Sequence, residues 1–331
     1  MNHAPATIPV PRSLGTVGEA GEEPISVTDD LAYICTTMVN LYFVGPPGAG
    51  DRGWVLVDTG LAGSTERIVS AAANRFGPNS RPAAIILTHG HFDHVGAVRP
   101  LAELWDAPVY AHRMELPYLD GRSPYPPPDP TVGGGMMAAL SFLYPRGPID
   151  LGDRLHALPE DGSVPGLPGW RWVFTPGHSP GHVSLFRDED RCLIAGDAFV
   201  TTQQESALAV MTQATGVHGP PAYFTPDWEA SRTSVERLAD LRPAIAATGH
   251  GLPLHGAEFQ GALDELARNF SAIAVPPHGR YVGHPALTDA DGIVSLPPDP
   301  TFPLRMAALG VAAGVSVAML ATWAARGRNR A

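Results

Sequence analysis

Residues 88–94 read Thr-His-Gly-His-Phe-Asp-His, which places three imidazoles and a carboxylate within positions 89–94. Ligands that converge from one helix face must recur every three or four residues, so His89, His91, Asp93 and His94 do not belong on a helix. Their spacing suits a loop leaving a strand. Residues 83–87 (Ala-Ala-Ile-Ile-Leu) form the continuous apolar run expected of a strand buried on both faces. A lone histidine on a half-buried surface is commonplace, whereas this many ligand-type side chains side by side imply a metal.

The same arrangement recurs further along. The apolar run 172–174 leads into Thr-Pro-Gly-His-Ser-Pro-Gly-His over 175–182, where Gly and Pro fix a tight turn that presents His178. Residues 192–195 form another apolar run, ending in Gly196-Asp197, and 244–247 end in Thr248-Gly249-His250. With His89, His91, Asp93 and His94 this makes five imidazoles and two carboxylates. That set is too large for one tetrahedral ion, and two ions fit better.

Taken in order, the His-x-His-x-Asp-His heptad, the Gly-His-x-Pro-Gly-His turn, the Gly-Asp after a strand and the late Gly-His resemble the metallo-β-lactamase superfamily. An earlier strand, 54–57, followed by Asp58-Thr59-Gly60, matches the same pattern. The resemblance covers roughly residues 30–270. It implies an α/β protein, a four-layered α/β/β/α sandwich of two mixed sheets face to face with helices outside. It also implies that His89, His91 and His178 hold one metal, that Asp93, His94 and His250 hold the other, and that Asp197 bridges them.

Two divalent ions about 3.5–4 Å apart share a water, lower its pKa toward neutrality and polarise a carbonyl, which is hydrolase chemistry. Imidazole and carboxylate donors without thiolate suit zinc, with iron or manganese as alternatives. Asp58 and Thr88 are expected to orient ligand imidazoles, the alternative for Asp58 being simply to cap a turn. His182, beside the site but not a ligand in the resembling pattern, reads as support for it, or as a solvated or core histidine. Asp93 and Tyr223 are the candidate catalytic side chains, Tyr223 because a hydroxyl near the ions would steady an oxyanion.

Several branches are argued down. The class B1 β-lactamase pattern has a cysteine in the metal site, but Cys35 and Cys192 lie in no ligand motif. The flavodiiron pattern has glutamate where His91 stands, and carries a flavin domain that this chain does not accommodate. Nuclease branches need a basic footprint, whereas the net charge is -11 and no lysine occurs. A small-molecule ester, lactone or thioester remains, with no nucleic acid partner. A glyoxalase II-like thioesterase is the runner-up, since few arginines are available to clamp glutathione carboxylates. A mononuclear iron persulfide dioxygenase is the alternative from another class.

Residues 113–149 form a Pro- and Gly-rich insertion, longer than an idle loop needs to be. Met136, Met137, Phe142 and Tyr144 make its second half adaptable and apolar, so it reads either as a lid over an acyl pocket or as plain core packing. Tyr223 and Phe224 are expected to share that pocket.

The expected organisation is a flexible leader (1–24), a catalytic domain (25–275), an irregular Pro-rich extension (276–303), an apolar helix (304–325) and an Arg-rich tail (326–331). Residues 64–76, 228–241 and 261–270 have the periodicity of outer helices. Residues 306–325 carry no charge, and at 1.5 Å per residue they reach about the 30 Å of a hydrocarbon core. A membrane anchor is one reading. A terminal helix packed on the domain or in a homodimer contact is the other. The leader lacks the features of a signal peptide, and two cysteines make no disulfide framework, so a cytoplasmic location is expected.

Overall fold

The computed structural model describes residues 23–300. Its larger sheet has seven strands in sequential order: β1 (Ile25–Ser26), β2 (Leu31–Thr36), β3 (Val39–Val44), β4 (Val55–Val57), β5 (Ala84–Ile86), β6 (Val109–Ala111) and β7 (Leu155–Ala157). Pairing is antiparallel up to β4 and parallel from β4 to β7. The second sheet contains β8 (Trp170–Phe174), β9 (Val183–Arg187), β10 (Cys192–Gly196), β11 (Ile245–Thr248) and β12 (Leu254–His255). Within it only β10 and β11 run parallel.

Successive side chains on a strand face opposite ways, and here both faces are apolar. On β4, Leu56 packs on α1 (Thr65–Phe76) and α2 (Val98–Trp105), in a core with Ile68, Phe76, Leu101 and Trp105. Its neighbours Val55 and Val57 join Ile86 in the core between the sheets, where they meet Val183, Leu185 and Ile194. On β10 the alternation runs the other way out, with Leu193 and Ala195 packing under helices. Short helices α3 (Leu116–Leu119), α4 (Met136–Ala139) and α5 (Ala207–Thr212) lie in connections. Then α6 (Trp228–Asp240), α7 (Gly256–Arg268) and α8 (Phe270–Ile273) cover the second sheet through Val235, Leu238, Phe259, Leu263 and Phe270. The layers are therefore helix, sheet, sheet, helix.

Two local expectations change. The third outer helix starts at Gly256 rather than 261, because Phe259 supplies a buried apolar position in its first turns. The stretch after 275 is not wholly irregular: Leu287–Asp289 and Gly292–Ser295 pair as a small antiparallel hairpin, β13 and β14, and Tyr281 and Ala286 are buried in the second-sheet core. The compact unit accordingly runs to Leu296, while residues 297–300 carry neither helix nor strand. Among the described residues no helix is long and apolar enough to cross a membrane. The 304–325 stretch, the Arg-rich tail and nearly all of the leader lie outside the described residues.

The sheets are also fastened by polar contacts at one edge. The Tyr42 hydroxyl donates to the Thr248 carbonyl at 2.6 Å, and Asn40 Nδ2 donates to the carbonyls of Thr248 (2.9 Å) and Gly251 (2.6 Å). The Val183 amide donates to the Thr88 carbonyl at 3.0 Å. These bonds bring together the strand ends from which the histidine- and aspartate-bearing loops emerge.

Candidate metal centre

Each candidate ligand leaves the end of a core strand. His89, His91, Asp93 and His94 follow β5, His178 follows β8, Asp197 follows β10 and His250 follows β11. All seven are buried. Three groups form in which the ligand atoms lie within 4.8 Å of one another: His89, His91 and His178; His89, His94 and Asp197; Asp93, His94 and His250. His91 Nδ1 and His178 Nε2 face each other at 2.9 Å. Asp197 stands between the groups, with Oδ1 3.5 Å from His94 Nε2 and Oδ2 3.5 Å from His178 Nε2 and 3.1 Å from His250 Nε2. His250 Nε2 is 3.5 Å from Asp93 Oδ2.

The donor atoms themselves argue for a cation. His89 Nε2, His94 Nε2 and Asp197 Oδ1 are buried without a hydrogen-bond partner among the described residues. Such orphaned groups are costly unless something binds them. Burial and then the neighbouring imidazoles push His89 and His178 well below the usual histidine pKa, and His91 to about 3, so these rings are neutral and have lone pairs to offer. Burial favours protonation of Asp197, but His250 and His94 outweigh it and keep the carboxylate ionised. Burial likewise opposes charge on His94, yet Asp197 and Asp58 prevail and raise its pKa well above normal, a sign that this pocket attracts positive charge.

Outer contacts fix the rings. Asp58 Oδ2 pairs with His94 Nδ1 at 2.8 Å and accepts the Thr88 hydroxyl at 2.7 Å, while Oδ1 accepts the Thr88 amide at 2.8 Å. Thr88 Oγ1 lies 3.1 Å from His89 Nδ1. Asp58 occupies the left-handed region (φ 60°), an uncommon conformation for a non-glycine residue that these bonds hold in place. His182 Nε2 accepts the Asp197 amide at 2.9 Å, and its Nδ1 lies 2.8 Å from Thr175 Oγ1, so this ring braces the backbone under Asp197. His250 Nδ1 is 2.8 Å from the Met38 carbonyl. Gly249 has to lack a side chain, because a Cβ there would run into the Asp197 carboxylate.

Beside His91 stands an aromatic wall. Phe224 stacks on the His91 ring (4.5 Å, 27°), and Phe92, Tyr144 and Tyr223 surround it at centroid distances of 5.1–6.2 Å from one another or from Phe224. Met137, Val132 and Ala138 of the insertion pack against this cluster. Met136 and Phe142 do not join it and are 59% and 54% exposed. The first half of the insertion is structural: Leu119 belongs to the first-sheet core, and Tyr118 and Tyr125 are buried and stacked. Burial and then the charge of Asp93 hold the Tyr223 phenol well above its normal pKa, so it keeps its proton. No hydrogen bond of its hydroxyl occurs among the described residues.

Three participants were not foreseen from sequence. Phe92 sits inside the heptad, masked by its ligand neighbours. Glu205 accepts the Ala222 amide at 2.7 Å beside Tyr223, and Gly134 and Gly135 of the insertion press on its chain segment. Glu115, fully buried at the start of the insertion, bonds both histidine loops. Its one sequence signal is a position just past β6, a parallel neighbour of the strand that feeds the heptad.

A family model described as the metallo-beta-lactamase superfamily matches residues 36–250. The chain belongs to that superfamily. Among curated relatives, the probable metallo-hydrolase YflN of Bacillus subtilis (strain 168) is 49% identical over 236 residues, covering 71% of this chain and 89% of the relative. The probable metallo-hydrolase YybB of the same organism is 30% identical over 196 residues, covering 59% and 74%. Among solved structures, a beta-lactamase domain protein from Burkholderia ambifaria aligns with a TM-score of 0.53 at 18% identity, covering 78% of this chain and 79% of that one. It shares the fold.

Asp58→Asn keeps the size of the side chain but weakens its grip on His94 and Thr88. Metal affinity, measured by chelator competition, is expected to fall about 10–100-fold. Wild-type affinity in that variant would disprove the orienting role.

Proposed function

We propose that this superfamily member is a dinuclear metal-dependent hydrolase of a small ester, lactone or thioester. The observation that carries the reading is the pair of intact donor groups, His89–His91–His178 and Asp93–His94–His250, with Asp197 between them. Two groups support two ions, where a mononuclear dioxygenase needs one. Zinc suits the nitrogen and oxygen donors, and iron or manganese would also be accepted. When bound, such a pair lowers the pKa of a shared water and polarises a carbonyl.

The protein's own contribution is positioning and exclusion of water. Asp58, Thr88 and His182 hold the ligand rings and the Asp197 backbone. Asp93 serves as a ligand in the group with His94 and His250, and its charge acts on Tyr223. The protonated Tyr223 hydroxyl, unclaimed by other described residues, is free to donate to oxygen charge developing on a substrate. Phe92, Met137, Tyr144 and Phe224 give that substrate an apolar bed. Glu205 is partly buried and accepts the Ala222 amide beside Tyr223; burial raises its pKa, and in its ionised form its charge acts on His250 and Tyr223. A wall of that sign disfavours anionic acyl groups, which ranks a glutathione thioester below a neutral ester or lactone.

His91→Ala and Asp197→Ala are each expected to abolish hydrolysis and to release metal, with Asp197→Ala affecting both ions. Two tightly held ions and near-normal kcat in Asp197→Ala would refute its bridging position.

Met137→Ala with Tyr144→Ala should raise KM for long-chain esters by at least tenfold and leave acetyl esters nearly unchanged, since each buried CH₂ is worth about 0.8 kcal/mol. Met136→Ala should do little. Equal effects on short and long substrates would show the segment to be structural.

Glu205→Gln is expected to raise kcat/KM for succinyl esters by roughly tenfold relative to the uncharged butyryl ester, about 1.4 kcal/mol of removed repulsion. An unchanged ratio would take Glu205 off the substrate wall.

A further inference from the structure

Glu115 is a fully buried carboxylate just before α3, and its hydrogen bonds reach three separate segments. Oε2 accepts the Gly90 amide at 3.0 Å and also the Tyr125 hydroxyl. Oε1 accepts the Ser179 hydroxyl at 2.7 Å and the Gly181 amide at 2.6 Å. Gly90 lies between His89 and His91. Ser179 directly follows His178, and Gly181 precedes His182. Tyr125 strengthens the junction, since its hydroxyl also accepts the Gly90 amide at 2.9 Å and its ring meets His91 edge-on at 4.7 Å.

We infer that Glu115 is a positioning residue for one metal site, fastening the loop that carries His89 and His91 to the turn that carries His178. This rests on the reading of those histidines as ligands. The other group is held differently: His94 by Asp58, and His250 by the Met38 carbonyl. The effect of Glu115 should therefore fall on one ion and not on both.

The chemistry of the junction requires a carboxylate. Four donors converge on it, two of them backbone N–H groups that cannot reverse their polarity. Glutamine has the same shape, but its NH₂ would face either the Gly90 amide or the Gly181 amide, donor against donor. One of the two loops would then lose its anchor. Burial raises the pKa of Glu115 and the four donors oppose that rise, so the bonds and the charge sustain each other.

The test is zinc titration of the metal-stripped full chain against a chromophoric chelator, with thermal unfolding of the metal-free protein alongside. Wild type should take up two ions. In Glu115→Gln one ion should weaken by about 10–100-fold while the other stays within about threefold. Ser179→Ala and Tyr125→Phe, which each remove one bond and keep the carboxylate, should weaken the same single ion by several-fold, and they carry the test if Glu115→Gln does not fold. Equal weakening of both ions would mark Glu115 as a general brace. Unchanged affinities with only a lower unfolding temperature would also overturn the inference, while leaving the two-metal reading intact. A wild-type chain that binds fewer than two zinc ions would remove both.

Discussion

Burying five imidazoles and two carboxylates in one place is the constraint on which the rest of the structure depends. Imidazoles crowded together leave some ring nitrogens without a hydrogen-bond partner among the described residues, and carboxylates out of water need positive charge. Some of the donor atoms stay unpaired among the described residues, and the surrounding chain is arranged to keep them so. Asp58, Thr88, His182 and the Met38 carbonyl occupy only the far sides of the rings or the backbone, leaving the convergent atoms facing one another.

Such crowding tolerates little movement, which explains the use of strand ends. A side chain one or two residues past a buried strand inherits the rigidity of the sheet, and a sandwich brings the ends of two sheets to a common edge. Asn40 and Tyr42 on β3 grip the loop that carries His250, and Val183 at the start of β9 grips Thr88. The missing Cβ at Gly249 then lets the His250 loop close on Asp197.

The buried strands and the clustering of candidate ligands at their ends were legible in the sequence because both are local signals, while the sandwich was implied by the family resemblance. An apolar run bounded by Gly reads as a buried strand, and a histidine at its end reads as a candidate ligand. What was not legible depends on partners distant in sequence. Glu115 looks like any acidic residue before a helix until the turn at 179–181 folds onto it. The insertion offered apolar residues throughout, yet Leu119 and Tyr125 are buried, Met137 and Tyr144 pack with Phe92 and Phe224, and Met136 and Phe142 are exposed. The β13–β14 hairpin is a different case: its strands are joined by only Ala290 and Asp291, yet they are short and lie in a Pro-rich stretch that reads as irregular.

The two sheets contribute unequally but jointly to the centre, with the heptad on one and His178, Asp197 and His250 on the other. Under the two-metal reading each ion is a cross-link between halves of the sandwich. Ligand that binds only the folded state adds to its stability in proportion to the logarithm of free concentration. The supply of ions would then tune the stability of the folded chain as well as whether it turns over substrate.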